Sequence, residues 1–360
     1  MSKKIRVLIA DDSFFMRTVL SDILSSSPQM VVAGTAREGR EALAKTLDLK
    51  PDIITMDLDM PGMGGLEAVE RIMSECPTPI LVVSAHVKKG GEMTIRALEA
   101  GAVDFVPKPQ AGGLIHMAPD RQEFLSKILQ VNEAKVGVEF PTVRDVKRNT
   151  DQRLSHPSDG SNILVTIGAS AGGPKALAEI FKQLPGELRC SVVVVQHMPQ
   201  GFTYSLAERL NAVGELVVRE ARDGDVVEPG VAFVAPGGGH VVLRSEGDEI
   251  RIRSCVGPSV KSATPSIDLF MLSAVESFGS HVLAVVLSGM GSDGAMGSRT
   301  VYEAGGRVLA QDEGTSVVYG MPKSAAEMGC VEKQVPIQRM AGEILREISY
   351  MNGSEEKGTQ

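Results

Sequence analysis

Runs of five or six apolar, largely β-branched residues recur along the chain, each followed by an amphipathic stretch. This alternation constrains the fold more than any other feature. IRVLIA, MVVAG, DIITMDL and PILVVSA, with a shorter run closing in DFVPKP, punctuate residues 5–108. Between them, SFFMRTVLSDILSS, EGREALAKTLDL, GGLEAVERIMSE and MTIRALEAG carry apolar residues at helical spacing. A strand with no polar alternation has to be covered on both faces. A β-α repeat of this kind therefore predicts a parallel sheet with helices on each side. QEFLSKILQVNEAK reads as the closing helix of the unit.

From about Gly137 to Ser161 the pattern fails. VRDVKRNTDQRLSHPSDGSN is polar, charged and turn-rich, which predicts an exposed linker. Strands resume at NILVTIGAS, CSVVVVQHM, VAFVAPGG, HVLAVVLSG and RVLAQDE, with helical patterns at PKALAEIFKQL, SIDLFMLSAVESF and DGAMGSRTVYEA. HVVLRSEGDEIRIRS alternates around Gly-Asp and predicts a β-hairpin. The expectation is an α/β protein of two domains, 1–136 and 162–348, joined by a linker at 137–161 and ending in a disordered tail at 349–360. The second domain is expected to be doubly wound, with a mostly parallel sheet and the hairpin as an addition.

Net charge is -8 and Trp is absent, which argues against nucleic acid as a partner and against a base-stacking platform. Cys76, Cys190, Cys255 and Cys330 have no metal-ligand spacing and read as reduced thiols. No run approaches the roughly 18–20 apolar residues of a membrane span. A cytoplasmic protein is the expectation.

In open α/β sheets ligands collect at the carboxyl ends of the strands. There the first half places Asp11 and Asp12, then Asp57, Ser84 and Lys108. Carboxylates at one edge repel unless a cation neutralises them, and hard oxygen ligands at an open edge suit Mg²⁺. A carboxylate there can attack a phosphoryl group, with Lys108 and Ser84 holding its oxygens. Acidic residues that merely cap helices are the bland alternative.

The motifs LIADDS, ITMDLDMPGMGGLEA, LVVSA and DFVPKP give residues 3–130 a resemblance to the receiver domain of two-component response regulators. The resemblance implies a flavodoxin-like (βα)5 fold. It implies Asp57 as phospho-acceptor, Mg²⁺ held at Asp11, Asp12, Asp57 and the backbone of Asp59, and Ser84, Phe105 and Lys108 as the switch residues. Gly64 stands where such loops often carry Asp.

The second half holds a literal G-x-S-x-G, Gly168 to Gly172, between a strand pattern and a helix pattern. The glycines leave room for a tight turn, and the helix N-terminus offers positive potential to an oxyanion. Ser170 needs a base. Of the six His, His86, His116 and His156 lie outside this domain; His240 follows a Gly run and His281 opens a strand. His197 ends the next strand pattern, at the same edge as Ser170. Asp293 follows VLSGMGS and can orient the imidazole, or cap the helix after it. The order Ser, His, Asp departs from that of α/β-hydrolases.

IGASAGGP, VVVQHMPQGFTYSLAERL, VAPGG and VLSGMGSDGAMG make residues 162–347 resemble the catalytic domain of chemotaxis protein-glutamate methylesterases, which also deamidate glutamine. The resemblance implies Ser170 as nucleophile, His197 as general base and Asp293 as orienting acid. It implies the backbone N–H groups of Met290 and Ala171 as oxyanion donors. Ala171 stands where the family often has Thr, so any hydroxyl contribution there is lost. The implied partners are a chemotaxis histidine kinase as phosphodonor and methyl-accepting chemoreceptors as substrate. The expected species is a monomer near receptor clusters, with Mg²⁺ serving the receiver and no cofactor serving hydrolysis. A receiver ahead of a hydrolase leads to the expectation that phosphorylation of Asp57 releases inhibition of the Ser170 cleft.

Overall fold

The structure is a computed structural model and describes residues 3–84, 88–108, 117–137, 163–255 and 264–355. The chain divides into two compact units, 1–138 and 139–360. The expected linker lies, apart from Gly137, outside the described residues.

In the first unit, β1 (Ile5–Ala10), α1 (Phe14–Ser25), β2 (Met30–Ala36), α2 (Gly39–Leu49), β3 (Ile53–Asp57), α3 (Gly65–Glu75), β4 (Ile80–Ser84), α4 (Lys88–Glu99), β5 (Asp104–Pro107) and α5 (Met117–Asn132) alternate. The sheet runs β2-β1-β3-β4-β5 with every pair parallel. This is the flavodoxin-like order. β3 and β4 are buried at every residue, as strands that are apolar on both faces require. Helix α1 starts where Ser13 accepts a bond from Met16 N–H, satisfying one of the donors a helix start leaves open.

Glycine is demanded after Asp57. A β-carbon on Gly65 would lie 1.9 Å from the Asp57 carbonyl oxygen, and backbone cannot yield. Gly65→Ala is therefore expected to destabilise the first unit by about 1–3 kcal/mol, as overpacking does, and to lower its melting transition in calorimetry. Gly64 is the N-cap of α3 and makes no side-chain bond there. The departure from Asp at this position thus removes a cap, a loss of a few tenths of a kcal/mol, about the usual cost of Gly at an N-cap.

The second unit contains β6 (Leu164–Ala169), α6 (Gly173–Phe181), β7 (Ser191–Gln196), α7 (Phe202–Val213), β8 (Val217–Glu220), β9 (Val231–Val234), β10 (His240–Glu246) and β11 (Glu249–Cys255). It continues with α8 (Ile267–Phe278), β12 (Val282–Val286), α9 (Ala295–Glu303), β13 (Arg307–Gln311), α10 (Met321–Glu327), β14 (Lys333–Val335) and α11 (Ile337–Glu355). Seven strands form a sheet in the order β14-β13-β12-β6-β7-β9-β8, all parallel. β10 and β11 form the expected hairpin as a separate two-stranded sheet, turning at Gly247 with φ +64°.

Helix α6 packs with α7 and with α11, while α8 packs with α9 and β10, and α9 with α10. These are the two layers of a doubly wound fold. Phe181, Phe233 and Phe270 are fully buried; hiding one such side chain contributes roughly 1.5–3 kcal/mol. The short edge strands β8 and β14 were not among the expected strands. Helix α11 corrects the expected tail: it continues to Glu355, with Met351 buried at 9% exposure. IQRMAGEILREISYM places apolar residues at helical spacing, so burial rather than disorder takes the chain past 349.

Chain direction along the seven-stranded sheet reverses beside β6. From there the sequence moves through β7 toward one edge, and β12, β13 and β14 extend to the other. Such a reversal opens a crevice at the carboxyl ends of the strands.

Candidate active site

Three residues reach that crevice from different strands. Ser170 follows β6, His197 follows β7 and Asp293 follows β12. Ser170 and His197 are half-buried, and Asp293 is buried at 4% exposure. Strand pairing sets the first two side by side: His197 N–H donates to the Ala169 carbonyl at 3.0 Å. His197 Nε2 lies 2.7 Å from Asp293 Oδ2. No hydrogen bond from Ser170 Oγ to the imidazole is present among the described contacts. In substrate-free sites such bonds are often long, and they tighten around the reacting group.

Asp293 gathers donors. Its Oδ2 also accepts from Ile267 N–H at 2.8 Å, and its Oδ1 accepts from Asp268 N–H at 2.9 Å, Ser266 Oγ at 3.2 Å and Gly294 N–H at 3.2 Å. Burial alone raises a carboxyl's pKa. The bonds from His197 and from the Asp268 and Ile267 backbone outweigh it and hold Asp293 below the ordinary carboxylate value. An ionised carboxylate only accepts, so the proton between the two groups sits on Nε2. Nδ1 is left as the basic nitrogen.

Asp293 is a helix cap, as one reading of the sequence allowed, but of a different helix. It caps the first turn of α8, while Gly294 is the N-cap of α9. Asp268 of α8 returns the bond, accepting from Gly294 N–H at 2.9 Å and Gly297 N–H at 2.8 Å. Nothing in the sequence around Asp268 or Ser266 marks them as part of this network. An acidic residue in a helix's first turn carries no sign of the distant loop it will cap. His240, which the sequence left unassigned, is buried and accepts Ser266 N–H at Nδ1, 3.1 Å away.

Close packing explains the small residues around Ser170. Gly172 is left-handed at φ +75°. A β-carbon on Gly289 would stand 2.8 Å from Ser170 Cβ, so only glycine lets the loop after β12 lie against the serine. Ser170 N–H donates to the Ser288 carbonyl, and Ser288 Oγ to the Ala171 carbonyl, tying that loop to the serine turn. The backbone N–H groups of Ala171 and Met290 have no acceptor among the described hydrogen bonds. The Gly237–Gly239 run, open between cleft and turn in the sequence, packs Gly237 against Met198 and Pro199, just past His197.

The first unit holds the acidic edge. Asp11 and Asp57 are buried, and the Lys108 ammonium stands 2.5 Å from Asp57 Oδ2 and 3.2 Å from Asp11 Oδ2. Asp11, Asp12 and Asp57 each offer an oxygen within 4.8 Å of the others. Asp59 is not in that carboxylate group; its N–H donates to Asp57 Oδ1 at 3.2 Å. Burial pushes the Asp57 carboxyl up, beyond what the Lys108 hydrogen bond and charge offset. Burial pulls Lys108 down, but Asp57 and Asp11 together hold it above its ordinary value. Asp11 Oδ2 is buried without a hydrogen bond. Ser84 Oγ accepts from Thr94 Oγ1 at 2.9 Å, a partner absent from the sequence reading, and Phe105 is buried.

Comparison with known proteins covers both units. Residues 165–344 match the family model described as CheB methylesterase, and residues 7–118 that of the response regulator receiver domain. A protein-glutamate methylesterase/protein-glutamine glutaminase of Pyrococcus abyssi is 41% identical over 99% of this chain and 97% of its own. The Geobacillus kaustophilus protein of the same name is 41% identical over 96% of this chain and 99% of its own. The crystal structure of the Thermotoga maritima CheB methylesterase catalytic domain superposes with a TM-score of 0.51 at 39% identity, covering 52% of this chain and 98% of that one.

Proposed function

Since the chain belongs to the CheB methylesterase family, we propose that Ser170 hydrolyses methyl esters of glutamate side chains on chemoreceptors, and deamidates receptor glutamines, when Asp57 is phosphorylated. The observation that carries the catalytic part is the 2.7 Å contact of His197 with Asp293 at the crevice that Ser170 opens.

Ser170 Oγ attacks the side-chain carbonyl while His197 takes its proton at Nδ1. Asp293 holds the opposite nitrogen and stabilises the imidazolium. The oxyanion is received by the N–H groups of Ala171 and Met290. Collapse of the intermediate breaks the C–O or C–N bond. His197 returns the proton to the leaving methanol or ammonia, and an acyl-enzyme remains. Water, deprotonated by His197, then releases the glutamate carboxylate and restores Ser170.

The receiver chemistry rests on the acidic edge. Asp57 accepts a phosphoryl group from the phosphohistidine of a chemotaxis kinase, and Lys108 and Ser84 take up its oxygens. The three crowded carboxylates, only partly offset by the Lys108 ammonium, fit a hard divalent cation, so Asp11, Asp12, Asp57 and the Asp59 backbone would hold Mg²⁺. When bound, it supplies positive charge that offsets the carboxylates and the phosphoryl oxygens. The protein acts in the cytoplasm near receptor clusters. No helix among the described residues is long and apolar enough to cross a membrane.

Methanol release from methyl-labelled receptor membranes tests both parts. Acetyl phosphate with Mg²⁺ is expected to raise release by the full chain. Asp57→Asn should remove that response, and so should EDTA, while unstimulated release continues in EDTA. Release that ignores phosphodonor in the intact protein refutes the regulatory part.

A further inference from the structure

Gln196 is the last residue of β7, buried at 2% exposure and paired in register with Ala169. Its Nε2 donates to the carbonyl of Ser170 at 2.9 Å and to the carbonyl of His197 at 3.1 Å. One carboxamide thus holds the backbone of both the nucleophile and the base. The geometry points to Gln196 as the positioning residue that sets the distance between Ser170 and His197, an inference that rests on the catalytic roles proposed above.

The β6–β7 ladder ends at the bond from His197 N–H to Ala169. Beyond it the chains part, Ser170 turning into α6 and His197 into the loop toward α7. Ser170 Oγ makes no bond to the imidazole among the described contacts, so their approach depends on the placement of the two backbones and on Asp293 holding the far side of the ring. Past the last rung, among the described hydrogen bonds, the Gln196 carboxamide joins the two directly.

Two further features mark the position as built for this purpose. Gln196 Oε1 is buried with no donor, so the carboxamide carries the cost of an unmet acceptor. An apolar side chain of equal size would carry no such cost. A β-carbon on Gly173 would stand 2.1 Å from Gln196 Oε1, so the second glycine of Ala-Gly-Gly-Pro makes room for the carboxamide.

The test compares the full-length protein with Gln196→Met, which keeps the volume and deletes both donors. Gly173→Ala is the second variant; it displaces the carboxamide and leaves Gln196 in place. Three quantities are read: kcat and KM for methanol release, the rate at which phenylmethanesulfonyl fluoride sulfonylates Ser170, and Tm. A slight misplacement of reacting groups costs up to about 100-fold. In both variants kcat and the sulfonylation rate should fall roughly 10- to 100-fold with KM within about twofold; Tm should be nearly retained in Gln196→Met, while Gly173→Ala, whose β-carbon also stands 2.9 Å from Ala169 Cβ, should show a modest fall in Tm. Full kcat and full sulfonylation in a folded Gln196→Met variant would overturn the inference. A collapse of Tm in both variants would overturn it too, making Gln196 a residue of the fold. An unmodified protein that neither releases methanol nor reacts at Ser170 would instead remove the catalytic reading on which the inference stands.

Discussion

Ser170→Ala should abolish methanol release, by at least about 10³-fold in kcat, with binding of receptor membranes retained. The expected size comes from how nucleophile and base act. Removing the nucleophile of such a unit costs nearly as much as removing the whole unit, because the base then has nothing to activate. Residual rate in such a unit comes from the oxyanion donors, a role proposed here for the N–H groups of Ala171 and Met290. The substitution removes one half-buried hydroxyl and no described hydrogen bond, so Tm should barely move. Phosphodonor should still phosphorylate Asp57 in this variant, since that chemistry belongs to the other unit. A Ser170→Ala protein that releases methanol at the normal rate would leave the chain a receptor-binding adaptor or a hydrolase with another nucleophile.

Asp293→Ala should fail twice, in rate and in stability. The carboxylate orients His197 and fixes its proton on Nε2. Replacing such an acid in a triad costs on the order of 10⁴-fold in kcat. The same carboxylate accepts from Ile267 N–H, Asp268 N–H, Ser266 Oγ and Gly294 N–H. Its loss strips the cap from α8 and strands buried donors, worth at least about 2 kcal/mol by the scale of caps and charged hydrogen bonds. A fall in Tm of about 4–8 °C follows for a unit of this size. Its acid dependence has a definite sign. Asp293 sits below its ordinary value of 3.8 in the folded protein, so its stabilisation is complete above that value and is lost as pH falls through the folded one. The difference in Tm between the two proteins should therefore shrink in acid. A constant difference down to pH 2 would mean that the ionised carboxylate contributes nothing.

Much of this protein is readable along the chain. Asp11, Asp57, Ser170 and His197 each lie at or just past the end of a predominantly apolar run. Strand ends are where a parallel sheet gathers chemistry, so their placement at the carboxyl edge follows from periodicity and position, while the roles proposed for them come from the family resemblance. Asp293 was found the same way, but the helix it caps was not. Local rules assign an acidic residue to the helix that follows it. Here the cap crosses 26 residues of sequence to Ile267, and Asp268 answers across a similar span. Gln196 was passed over because a polar residue at the close of VVVVQ reads simply as the end of a strand. Helix α11 was cut short because Asn352-Gly353-Ser354 has the composition of a tail, whereas the apolar stripe before it is buried.

By itself the sequence determined the two α/β units and which polar residues stand at the carboxyl edge of each sheet. Those depend on periods of two and 3.6 and on where an apolar run breaks, which are properties of neighbouring residues. Only the tertiary structure decided that β12 lies beside β6, that α8 and α9 exchange caps through Asp268 and Asp293, and that Gln196 spans the backbones of Ser170 and His197. Each of these joins groups brought together by the order of strands in the sheet. That order is settled by the burial of whole strands and helices against one another, which no local stretch encodes.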